Sequence, residues 1–73
     1  MSGSKHYVGK VTLNGITTTQ LEVMRNPRRF QHASSRWLLV RVNSGATDGF
    51  RYMEDALAYG SRLNRHLVWE EQK

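Results

Sequence analysis

The chain has no cysteine and a single proline, Pro27. Without thiols, no disulfide braces the fold and no thiolate site holds a metal. Long apolar runs are also missing. The longest, Trp37-Leu38-Leu39-Val40, falls far short of the ~20 residues that span a bilayer. Met1 to His6 lacks the apolar stretch of a secretory signal. A soluble, cytoplasmic protein with no membrane partner is therefore expected, in the host cytoplasm if the chain is phage-encoded. Acids are scarce in the first part of the chain. Residues 1–43 hold seven Lys/Arg against one acid, Glu22, whereas residues 44–73 hold four against five. The formal net charge of +5 thus belongs to the first part. Such a field favours nucleic acid or an acidic protein surface, mainly through on-rate and salt-sensitive affinity. Eight of the eleven basic residues are arginine, which makes planar bidentate contacts that lysine cannot.

The chain's 73 residues make one domain. A domain this short buries only ~60% of its unfolded surface, so every core contact weighs heavily on its stability.

Lys5 to Leu13 alternates as a strand, with Tyr7, Val11 and Leu13 on one face. Asn14-Gly15 follows, the dipeptide of a type I′ hairpin turn, where both residues need positive φ. Ile16 to Arg25 is the returning strand, rich in threonine and β-branched residues. A two-residue turn sets Leu13 opposite Ile16 and Val11 opposite Thr18. Carried on, that register puts Leu21 and Val23 on the wrong face, beside Val8. A bulge within Thr17-Thr18-Thr19 would return them to the core; a strongly coiled hairpin with both faces partly buried is the alternative. Asn26-Pro27 ends the strand.

Arg36 to Val42 is the next strand. Leu38, Val40 and Val42 line one face, and Trp37, Leu39 and Arg41 the other. Antiparallel sheets of this size hide one face, so Trp37 and Leu39 imply either a second packing layer or an exposed apolar patch. Asn43 to Gly49 is rich in turn residues, and Phe50 to Tyr52 forms a short extended piece. Met53 to Arg65 reads as a helix whose stripe Met53, Ala56, Leu57, Gly60 and Leu63 faces the sheet. Glu54 and Asp55 suit its first turn; Arg62, Arg65 and His66 suit its last. Gly60 costs a helix ~1 kcal/mol relative to alanine, and close packing on the sheet would explain it. Leu67 to Trp69 is a last edge strand. Residues 1–5 and 70–73 are expected to fray. The fold class is α+β: a small antiparallel sheet of three or four strands packed by one C-terminal helix, in a single domain over residues 1–73.

Catalytic and metal chemistry find no footing. His6, His32 and His66 show no pair at ligand spacing. Ser34, His32 and Asp48 can be drawn as a triad, but nothing in the sequence positions them. Glu54-Asp55 and Glu70-Glu71 are adjacent pairs whose side chains point apart. The glycines form neither GxGxxG nor a P-loop. No enzyme activity, cofactor, metal or small-molecule substrate is expected.

The richest functional signal is RNPRRFQHASSR, Arg25 to Arg36. It carries Arg25, Arg28, Arg29 and Arg36 with Phe30 and His32, and no acid. It joins two strands, and long ordered connections are often functional. Arginine beside an aromatic ring suits phosphate and single-strand sites and equally a protein–protein hot spot. A solvated basic loop with Phe30 folded onto the core is the third reading. Trp37, Leu39, Arg41 and Trp69 form a second candidate surface, since Trp and Arg are enriched at interface centres. Tryptophan in a domain this small is more often part of the core than of an interface.

The segments RWLLVRV (Arg36–Val42), Gly49-Phe50 and EDALAY (Glu54–Tyr59) resemble the strand-then-helix half of three-stranded-sheet DNA-binding domains, such as the plant AP2 domain and the arm-binding domain of phage integrases. That resemblance implies DNA read from the sheet face, here by Arg36, Trp37 and Arg41. In size and charge the chain is also similar to small phage-encoded proteins that bind host RNA polymerase. That second resemblance implies a non-enzymatic, monomeric regulator acting by steric or allosteric interference. The expected function is of this second kind, with Arg28, Arg29 and Phe30 as anchors and Arg25, Arg36, Trp37 and Arg41 around them. Direct DNA binding through the sheet face and the basic loop is the alternative.

Overall fold

The computed structural model describes residues 5–27 and 35–72. The elements follow in the order β1 (His6–Leu13), β2 (Ile16–Arg25), β3 (Trp37–Arg41), β4 (Thr47–Phe50), α1 (Met53–Leu63) and β5 (Val68–Gln72). All five strands form one antiparallel sheet in the order β4-β3-β2-β1-β5. β1 to β4 make a meander. The helix then carries the chain back across the sheet from the β4 edge to the β1 edge. The fold is α+β as expected, with five strands rather than three or four.

The β1–β2 turn is the one the Asn14-Gly15 dipeptide calls for, with φ of 53° and 79°. Both values lie in the left-handed region that type I′ requires. The ladder holds Leu13 opposite Ile16 and Val11 opposite Thr18, then slips: Lys10 faces Thr19 while Gly9 faces Leu21. Gln20 is therefore the extra residue of a bulge. It lies one position beyond the threonine run, and it turns Leu21 and Val23 inward, at 6% and 0% exposed.

Register and alternation assign the faces. Tyr7, Val23 and Leu39 form one row across the sheet, and Arg25, Trp37 and Phe50 the next. These residues lie on the helix side, where Leu21, Val23, Leu39 and Ala56 make the buried core. Tyr7, Trp37, Phe50, Met53, Leu57, Tyr59, Leu67 and Trp69 pack around it. The helix thus covers the Trp37 and Leu39 face, while Val8 and Leu38 of the opposite face are buried too, at 8% and 1% exposed. Its stripe is close to the expected one, with Ala56 and Gly60 buried, Met53 and Leu57 half-buried, and Leu63 exposed. It stops at Leu63, where Asn64 takes an extended conformation, so Arg65 and His66 lie beyond it. β4 begins at Thr47, earlier than the extended piece expected from Phe50. β5 runs to Gln72, so Glu70, Glu71 and Gln72 are paired with Val8, Tyr7 and His6 rather than frayed. Among the described residues no helix is long and apolar enough to cross a membrane.

Candidate anion-binding site

The strand ends that meet at the helix N-terminus bring basic residues together from four parts of the chain. Lys5 precedes β1, Arg25 closes β2, Arg36 and Trp37 open β3, and Arg51 and Tyr52 link β4 to the helix. With Met53 and Glu54 of the first helical turn they line an open cleft of about 500 Å³. Among the described residues, four cations face one carboxylate there, that of Glu54. Among the described residues none of the four makes an ion pair; the three pairs found are His6–Glu22, Lys10–Glu70 and Arg41–Asp48.

Backbone geometry holds these groups in place. Asn26 N–H donates to the Arg36 carbonyl at 2.9 Å, and Asn26 Nδ2 donates to the Ser35 carbonyl at 2.8 Å. The two strand ends are thereby tied just where Arg25 and Arg36 leave the ladder. Arg25 lies directly opposite Trp37 in the register, and its guanidinium carbon sits 5.4 Å from the indole centroid. This is a cation–π contact, which at an exposed position is worth ~0.5–1 kcal/mol. Tyr52 is the N-cap residue and makes no side-chain cap bond. Its carbonyl accepts from Asp55 N–H at 3.2 Å and Ala56 N–H at 3.3 Å. The residue stays 55% exposed. Exposed helix N-termini favour anions, because their first N–H groups lack helical partners.

The cleft unites three of the residues singled out in the sequence, Arg25, Arg36 and Trp37. Arg41 is elsewhere. It lies at the other end of β3, four residues or ~13 Å from Trp37 at strand spacing. There Arg41 Nη2 donates to the Tyr59 hydroxyl at 3.3 Å and stands 3.5 Å from Asp48 Oδ2. Arg41 also borders a second cleft of about 370 Å³ with Gln20, Asn43, Ser44 and Asn64. Arg28, Arg29 and Phe30, the expected anchors, lie outside the described residues. Ser34 and His32 do too.

Trp37 and Arg41, expected on a DNA-reading sheet face, both lie on the helix side. The opposite face instead carries His6, Lys10, Glu22 and Glu70, already paired with one another. Among the described residues the charge of that face is mixed. Lys5, Arg51 and Tyr52 went unnoticed in the sequence. Arg51-Tyr52 is a basic–aromatic pair directly before a helix, and that was the available signal. Among the described residues no group of three His, Cys, Asp or Glu could hold a metal.

Comparison with protein-family models, curated protein sequences and solved structures finds no match for this chain.

Proposed function

We propose that the protein is a non-enzymatic binding module that docks on an anionic macromolecule of the transcription apparatus and regulates by occupying its surface. The observation that carries this reading is the cleft, where Lys5, Arg25, Arg36 and Arg51 converge without ion-pair partners among the described residues. Unneutralised surface cations of one sign steer an oppositely charged partner and add salt-sensitive affinity. In its protein-partner form, the regulator seats the cleft on an acidic patch of RNA polymerase. A second form, direct contact with nucleic acid, draws on the two aromatic residues, Trp37 and Tyr52, set among the cations.

The test is a titration of purified RNA polymerase and, separately, of nucleic acid with the wild-type protein and an Arg25→Glu/Arg36→Glu/Arg51→Glu variant, at low and physiological salt. The wild type should bind at least one of them, more weakly as salt rises, and the variant should lose that binding while remaining folded. If the variant binds like the wild type, or the wild type binds no anionic macromolecule, the reading fails.

A further inference from the structure

We infer that the cleft takes a single strand of nucleic acid, with phosphates held by Arg36, Arg51 and Lys5 and a base stacked on Tyr52. This rests on the cleft being an anion site, and it names the anion.

The core already uses Tyr7, Trp37, Phe50, Tyr59 and Trp69. Tyr52 is not among the residues packed there, and it is 55% exposed beside Lys5, Arg25, Arg36 and Arg51. Its backbone is nevertheless anchored, since its carbonyl accepts the first hydrogen bonds of the helix. A ring on a fixed stem loses little conformational freedom when something stacks on it. Arg25 adds a second flat surface, because its guanidinium sits over Trp37 and is itself exposed. Guanidinium planes and aromatic rings are what unpaired bases stack on.

The alternatives use this arrangement less fully. A carboxylate-rich protein surface would satisfy the cations, but carboxylates offer Tyr52 no ring to stack on. A duplex presents its backbone to the cations but keeps its bases stacked internally. The one acid in the cleft, Glu54, repels phosphate and can accept from a base amino group. It therefore favours the base on the Tyr52–Glu54 side and the phosphates toward Arg36, Arg51 and Lys5.

The experiment measures fluorescence anisotropy with a labelled single strand of roughly twelve nucleotides, within the usual span of such sites. The same sequence as duplex and inorganic polyphosphate serve as competitors, the latter supplying charge without bases. Circular dichroism verifies that each variant is folded. The wild type should prefer the single strand to both competitors. Tyr52→Leu should weaken single-strand binding roughly ten- to hundredfold and leave polyphosphate binding unchanged. Tyr52→Phe, which keeps the ring, should bind like the wild type. Arg36→Glu/Arg51→Glu should lose both ligands. If Tyr52→Leu has no effect, or polyphosphate competes as well as the single strand, the cleft is a plain anion site and the strand assignment is wrong. Binding of RNA polymerase but of no nucleic acid would also overturn it, while leaving the proposed function standing. Failure to bind RNA polymerase as well as every polyanion would remove both.

Discussion

Gly60 of the helix and Trp69 of β5 meet so closely that a Cβ at Gly60 would stand 2.5 Å from the indole Cζ2. The indole has little room to retreat, because its Nε1 donates to Ser61 Oγ at 3.1 Å. Leu21 Cδ1, at 3.1 Å, closes the other side. In the sheet Trp69 lies opposite Gly9, where a Cβ would come 2.7 Å from Leu67 Cδ2. Two glycines thus make room for the last strand to dock.

Gly60→Ala should therefore destabilise the fold. Alanine gains ~1 kcal/mol in helix propensity, but overpacking costs ~1–3 kcal/mol. The melting temperature should fall, and fall further for Gly60→Val. A rise with alanine would mean that the helix and β5 are not in contact at this point.

Leu39 is 0% exposed and lies between Val23 and Asp48 in the register. Leu39→Ala should cost ~2–5 kcal/mol, enough to unfold a domain of this size. Leu57→Ala should cost less, because Leu57 is only half-buried. Urea unfolding of the two variants gives the order, and equal midpoints would contradict it.

The bulge at Gln20 leads to a contrast between two deletions. Removing Gln20 leaves Gly9 opposite Leu21 and Lys10 opposite Thr19 in an unbroken ladder, so every apolar side chain keeps its face. Removing Glu22 instead pushes Leu21 to the far face and draws Gln20 under the helix. The first variant should fold, losing the bond from Val42 N–H to the Gln20 carbonyl. The second should not. Circular dichroism melts of both are sufficient, and a folded Glu22 deletion would rule out this register.

Arg25→Ala should uncover one face of Trp37 with little loss of stability, within ~1 kcal/mol for an exposed cation–π contact. Tryptophan emission should shift to the red as water reaches the indole. An unchanged spectrum would show that the guanidinium does not sit over the ring in solution.

Local chemistry alone determined much of the fold. Asn14-Gly15 demands a type I′ turn. The displaced pair Leu21 and Val23 points to an extra residue in β2, expected within Thr17–Thr19 and found at Gln20. The spacing of Met53, Ala56, Leu57 and Gly60 sets the helix and its buried stripe. These features depend on neighbours in the chain, whose geometry the backbone dictates directly.

Tertiary structure decided what alternation left undecided. Both faces of β3 are apolar, and only docking of the helix put Trp37, Leu39 and Arg41 on its side; Leu38 of the other face is buried as well, at 1% exposed. β5 continues through Glu70, Glu71 and Gln72, residues with weak strand preference, because the edge of β1 supplies hydrogen-bond partners and Lys10 supplies a charge for Glu70. The candidate site is divided in the same way. Arg25, Arg36 and Trp37 stand out in the sequence because they flank one acid-free stretch. Lys5, Arg51 and Tyr52 do not, because they are distant in sequence and join the others only once the sheet order brings the ends of three strands to the start of the helix. Charge accumulates through space, and the sequence records only its order along the chain.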